Sequence, residues 1–427
     1  MKRNLNKIVA FAIGISIING NIVSTFAADT TQNTDIIANM KIQPDQKSVL
    51  TLDDAIKSAI STSEILALDE KKISYTDKIN DVNKNIDDNP QLVGKAEIEM
   101  SDNRKDLNED TRDIKLKQCK QQRDFDEDKL IQKVTNSYND IVTSQMKIEK
   151  AKKDIELKNK DLSVIKVKNY VGSTISVDVD ANTVSLEDLQ NQLKSSESAL
   201  KDAQYNFKVL TGKDVTQYSL NQDIKYDELK IDGSMDEYLD NVIDNYLKYN
   251  IQLIELNKDY FDDSDNKAAD ITDKDKPSDE KPILSNDGDL KAYKEYETKL
   301  DDYYQKRQVY AFKLSIRLAY LNAKIGTYES ETNLDEAKKQ FKEQLRNFYT
   351  MLTTTQNNID LLKKNIELNN KQLRIFKAKY DSELITKTYY DHQVVNSEEL
   401  NIQLRSAIDR YNTLKEEIQK PWIAFSK

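Results

Sequence analysis

Histidine occurs once in this chain, at His392, and cysteine once, at Cys119. An imidazole can bind a metal or titrate near neutral pH, and a thiolate can act as a nucleophile. A protein zinc site draws three or four converging ligands, mostly His and Cys. With no second His and no nearby Cys, His392 lacks those partners and reads as a solvated residue. Carboxylates are abundant, but an acid pair on a rod-like helix has no pocket to shift its pKa for acid–base work. No phosphate loop, nucleophile elbow or metal cluster occurs. The acid-rich run Asp262–Asp289 is the remaining candidate, as a calcium loop. It lacks the ligand spacing of an EF-hand, holds Pro277 and Pro282, and has no aromatic residue, so it reads as a disordered acidic loop. The sequence therefore describes neither an enzyme nor a cofactor protein.

Composition points to long solvated helices. Of the 427 residues 32% are charged and 38% hydrophobic, with 8 Gly and 5 Pro, a balance that suits narrow apolar stripes and not a thick mixed core. Residues 1–27 read as a secretory signal. Lys2, Arg3 and Lys7 precede an apolar run, and "STFAAD" offers small residues for cleavage near Ala27. The alternative is an uncleaved anchor, which Asn19, Gly20 and Asn21 argue against. Cleavage removes three positive and no negative charges, taking the net charge from −10 to −13, so a nucleic-acid partner is excluded. Cys119 cannot close an intrachain disulfide, so burial must hold the exported chain, in part between subunits.

The chain is a tandem duplication. "KKDIELKNKDLSVIKVK" (152–168) and "KKNIELNNKQLRIFKAK" (363–379) are identical at 10 of 17 positions, at an offset of 211. The offset holds ungapped from Tyr138/Tyr349 to Leu193/Leu404. Each copy opens alike, with Thr51 and Asp54 in one capping box and Ser234 and Glu237 in another, at an offset of 183. The difference is the acidic insertion in copy two. Apolar residues then follow a heptad seam through Leu334, Phe341, Leu345, Phe348, Leu352, Ile359, Leu362, Ile366, Leu373, Phe376 and Tyr380. Shorter return arms carry Leu186, Leu193, Leu200 and Phe207 in copy one, and Leu400, Leu404, Tyr411 and Ile418 in copy two. The pattern predicts an all-α fold of two long antiparallel coiled-coil hairpins. Between the arms of copy one, Gly172 permits positive φ at the reversal, and Ser185 with Asp188 reads as the capping box that restarts the helix.

This organisation resembles the TolC-like outer-membrane efflux protein family over Thr51–Pro421. "LTLDDAIKSAISTSEILALDEKKI" is similar to its opening helix, and "NYVGSTISVDVDA" to its tip motif through Tyr170, Gly172, Asp178 and Val179. "ALKDAQYNFKVLTG" is similar to the end of its first half. The resemblance implies a homotrimeric helical cylinder. Its hairpin tips would meet a membrane-fusion adaptor, which connects to an inner-membrane pump. In copy two the docking positions become Tyr380, Glu383 and Tyr389, and the family's pore-entrance acids fall near Asp391 and His392.

The family closes its other end with a β-barrel. Here Asp81–Asp128 offers one strand-like stretch, "QLVGKAEIEM", and no aromatic girdle, and copy two offers only the acidic loop. The sequence thus predicts little or no barrel. It divides into a signal (1–27), a linker (28–49), a first hairpin repeat (50–213), a linker (214–233), a second repeat (234–421, with insertion 262–289) and a tail (422–427). Two functions follow: an efflux or secretion conduit, or a non-conducting envelope spacer or surface-binding protein of the same descent.

Overall fold

A computed structural model describes residues 48–284 and 289–425. The signal, most of the first linker and residues 285–288 lie outside them. The chain opens with β1 (Val49–Leu50), α1 (Leu52–Thr62) and α2 (Glu64–Asp88). Thr51 caps α1: its side chain accepts from the Asp54 N–H at 3.2 Å, and its hydroxyl donates to the Asp54 carboxylate at 2.7 Å. Ser63 ends α1 with an extended backbone and caps α2 by accepting from the Leu66 N–H. A small antiparallel hairpin follows, β2 (Gln91–Val93) and β3 (Ala96–Ile98), and then α3 (Asp102–Tyr170). After a five-residue reversal comes α4 (Ser176–Thr211), and β4 (Ser219–Leu220) pairs in parallel with β1. The second half is α5 (Met235–Asp262), α6 (Leu290–Asp381) and α7 (Lys387–Gln419), closed by α8 (Trp422–Phe425).

At 1.5 Å per residue the 92 residues of α6 span roughly 140 Å, and the 69 of α3 roughly 100 Å. No proline interrupts either helix. Helices of this length are held by packing one stripe each, not by propensity. The copy-two seam is buried or half-buried from Leu334 to Tyr380. With α5 and α7 it forms a core in which Leu239, Leu345, Ile359, Leu414 and Ile418 are fully enclosed. The copy-one core is smaller, around Ala55, Val134, Tyr138, Ile141 and Phe207. Tyr138 ties it together: its hydroxyl donates to the Leu50 carbonyl and accepts from the Asn221 N–H, both at 2.8 Å.

The helices lie as one layer. Towards the reversals the order is α4, α3, α7, α6, and towards the opposite, wide end it is α2, α3, α5, α6. The halves meet along α3. Lys420 pairs with Asp128, Lys153 with Glu398 and His392 with Asp161, each at 2.8–2.9 Å. Among the described residues no strand exceeds three residues, no closed barrel forms, and no helix is long and apolar enough to cross a membrane.

Two sequence expectations need correction. The helix after the first reversal does not restart at Ser185, because α4 begins at Ser176 and Ser185 lies inside it. The β-branched run costs only a few tenths of a kcal/mol per residue, less than a further break in the helix would cost. Asn182 and Thr183 bond back to the carbonyls of Asp178 and Val179. The acidic insertion, read from its composition as disordered, lies in its described part along α6 with short 3₁₀ turns. Arg317 donates to the Ala268 carbonyl and pairs with Asp270, Tyr310 donates to the Thr272 carbonyl, and Lys306 pairs with Asp279. The counter-charges sit on a helix some thirty to fifty residues downstream, roughly counted, where the composition of the loop itself gives no sign of them.

Candidate functional site

The two reversals lie at one end of the layer and share one backbone. In the first, the Gly172 N–H donates to the Asn169 carbonyl at 3.0 Å and the Ser173 N–H to the Lys168 carbonyl at 2.7 Å. In the second, the Glu383 N–H donates to the Tyr380 carbonyl and the Leu384 N–H to the Lys379 carbonyl, both at 2.9 Å. This is a Schellman closure, which needs one residue in the left-handed region. Gly172 fills it at φ +74°, and Glu383 fills the equivalent position at φ +59°. A methyl at Gly172 would meet nothing within 4 Å, so only backbone strain opposes a side chain there.

Around this common turn the side chains differ. Tyr170 projects from tip one at 91% exposure, beside exposed Val171, Ile175 and Val177. Asp178 sits in the first turn of α4 and accepts from the Thr174 hydroxyl, and Val179 is half-buried beneath it. Tip two is aromatic. The Tyr380 ring stacks on Tyr390 at 5.6 Å, and Tyr389 meets the edge of Phe376 at 5.9 Å. Thr386 caps α7 by accepting from the Tyr389 N–H at 3.2 Å, whereas Ile175 gives α4 no side-chain cap.

Asp391 and His392 are half-buried one turn above tip two. His392 Nε2 lies 2.9 Å from Asp161 Oδ2 of α3, so the histidine ties the copy-two hairpin to copy one. It keeps about 35% of its side chain in water while making that bond, and the partner 231 residues away carries no local signal. Among the described residues no group of three His, Cys, Asp or Glu side chains converges to hold a metal.

Sequence reading also misses the buried polar joint higher on α3. Arg405 donates to the Gln222 carbonyl and to Asn139 Oδ1 (3.0 Å), and Asn139 Nδ2 donates to Asp409 at 2.6 Å. Burial pushes the Asp409 carboxyl above its ordinary value, Asn139 partly offsets that, and nearby Asp140 adds to it. At the wide end the hairpin turn at Gly94 is seated on α6. Gln305 donates to the Val93 carbonyl and accepts from the Lys95 N–H, and Lys95 pairs with Asp301. Below it lies a cavity of about 660 Å³ between Ile86, Met100, Phe261, Phe312, Ile316 and Tyr320.

No family model matches the chain, and no curated protein matches it. Solved structures do. One is a membrane protein from Pseudomonas aeruginosa, with 10% identity and a TM-score of 0.56 over 87% of this chain and 93% of that one. Another is the outer membrane protein VceC from Vibrio cholerae, with 10% identity and a TM-score of 0.51 over 86% and 96%. A third is CusC, described for conformational changes accompanying folding and transmembrane channel formation, with 11% identity and a TM-score of 0.52 over 88% and 90%. At these identities the likeness is one of fold. The chain shares the TolC-like helical fold of these proteins, and no closed barrel forms among its described residues.

Proposed function

We propose that this chain is the subunit of a TolC-like export conduit in the cell envelope, a homotrimer whose hairpin tips dock a membrane-fusion adaptor coupled to an inner-membrane pump. The observation that carries the reading is the pair of tips. Two turns of one geometry project from the same end of the layer, one bearing Tyr170, Val171 and Ile175 and the other Leu384 and Tyr389, all exposed. Such residues in water favour a partner that covers them. Residues 1–27 would export the chain, substrates would pass along the helices without a chemical step, and Asp391 and His392 would stand near the entrance. The test is pull-down of a co-expressed membrane-fusion adaptor by the mature protein. Tyr170→Ser with Leu384→Ser should abolish capture and leave helicity intact. Unchanged capture would remove the tips as the docking surface.

The wide end favours a second reading, a non-conducting envelope spacer. A hairpin of three-residue strands and an acidic strap occupy the places where a barrel would need strands of about 9–11 residues. Stable single-channel conductance of the purified protein in bilayers would reject the spacer.

A further inference from the structure

The cavity under the Gly94 turn has a local cause. At the wide end α5 stops at Asp262, while α3 continues to Asp102 and α6 to Leu290. Beyond Asp262, α3 and α6 flank a gap where the next turns of α5 would lie. The acidic strap crosses it, and the Asn103 amide donates to Asn266 of the strap at 2.7 Å. The cavity of about 660 Å³ occupies this gap. The end of α5 makes no demand on it, because the Phe261 carbonyl already accepts from the Tyr320 hydroxyl at 3.3 Å and from Lys324 at 2.7 Å. The Phe261 and Tyr320 rings, 5.4 Å apart, form one wall. Ile86 and Ile316 also line it and remain 57% and 44% exposed, apolar surface that no described residue covers. Size and lining are those of a small-molecule site, roughly 300–1,000 Å³ and largely apolar.

A second cavity, of about 150 Å³, adjoins the first and shares Arg104, Phe261 and Ala323 with it. Arg104, Asn108, Thr111 and Lys115 line it from one face of α3, at steps of four, three and four residues. No carboxylate lines it, in a chain of net charge −10. The hydroxyls of Thr327 and Ser330 and the amide of Asn257 already donate to carbonyls of their own helices. Arg104 and Lys115 are half-buried and, among the described residues, have neither an ion pair nor a side-chain hydrogen bond. The Arg104 guanidinium lies 5.7 Å from the Tyr260 ring instead. A guanidinium keeps its charge and carries five donors, so its chemistry here calls for an anion. Glu99 and Asp265 line the larger cavity but are exposed to water.

We propose that the two cavities form one site for a single-chain anionic amphiphile, such as a long-chain carboxylate. Its head lies against Arg104 and its chain fills the larger cavity. Lys115, about 16 Å further along α3, adds positive potential without touching the head. All the residues that build the site belong to one chain, so the inference stands apart from the conduit reading.

Calorimetric titration of the full mature chain with dodecanoate, kept below its micellar concentration, tests this. One dodecanoate should bind per chain. Dodecyltrimethylammonium, with the same chain and the opposite head, should bind at least roughly tenfold more weakly. Arg104→Gln should weaken dodecanoate binding by roughly tenfold, and Arg104→Glu should reverse the preference between the two heads. Lys115→Gln should cost a smaller factor that vanishes at high salt. Ala319→Phe, which sets a ring into the larger cavity from an exposed position, should abolish binding with helicity unchanged. The comparison of heads uses the unaltered chain, so it decides even if a variant fails to fold. Equal binding of the two heads, dodecanoate binding that either Arg104→Gln or Ala319→Phe leaves unchanged, or no dodecanoate binding at all overturns the site. Each of these results leaves adaptor capture by the tips as a separate question.

Discussion

Gly172 and Glu383 occupy the same point of two turns with the same hydrogen bonds, yet one residue is suited to the left-handed region and the other is not. A non-glycine residue there costs roughly 1–2 kcal/mol. The second copy carries that strain and still closes in the same way. The reversal is therefore imposed by the two helices it joins, whose seams bury Leu352, Ile359 and Ile402 up the arm, and glycine only eases it. The comparison extends to the halves as a whole. Copy two has the larger core, the capped return helix and the aromatic tip, and copy one has the smaller core and the uncapped return helix.

The largest expected effect tests whether the halves are one cooperative unit. Phe207→Ala in copy one should cost about 3–5 kcal/mol and Leu345→Ala in copy two about 2–5. If the α3 joint couples them, urea unfolding followed by circular dichroism shows a single transition that either variant shifts. Two transitions, each moved by only one variant, would show that the halves fold separately.

Next in size is the joint itself. Arg405→Ala removes two charge-assisted hydrogen bonds and should cost about 3 kcal/mol. The loss should appear as early exposure of the linker around Gln222 in hydrogen exchange. Unchanged protection there would mean that Arg405 does not hold the linker.

The turns come third. Gly172→Ala should lose roughly 1 kcal/mol, because the space is open and only the backbone objects. Glu383→Gly should gain less than that, since the unfolded chain gains freedom as the strain is lifted. Opposite signs in thermal melting sustain the comparison, and two losses would show that Glu383 makes a contact worth more than its strain.

The smallest effect is that of pH on the joint. Asp409 holds its proton to higher pH in the folded chain than in the unfolded one. Its contribution to stability is complete below the ordinary carboxylate pKa and falls as pH rises through the raised folded value. Asp140 and Glu417 are raised by burial and act in the same direction. Asp409→Asn should flatten part of the fall in Tm between pH 4 and pH 7, conditions chosen to bracket roughly that window. An identical slope in the variant would take Asp409 out of the effect.

The helices, their seams and the duplication were legible in the sequence because each is a matter of spacing along the chain. Side chains three and four residues apart share a helix face, so Leu334 to Tyr380 declared their stripe without any knowledge of what covers it. Gly172 marked the first turn for the same local reason. Sequence spacing failed where the partner was distant. Ser185 and Asp188 have the form of a helix start, but the Schellman closure at Gly172 had already launched the helix at Ser176. His392 gave no hint of Asp161, nor Asp270 of Arg317, nor Asn139 of Arg405. Those contacts depend on how α3, α6 and α7 lie beside one another, a relation between helix axes that local periodicity does not encode. The sequence by itself determined that there would be two hairpins and which stripe each helix must bury. The tertiary structure decided which helix buries which stripe and left Ile79 of α2 and Leu318 of α6 exposed, because a single layer of helices has two edges that it cannot cover from within.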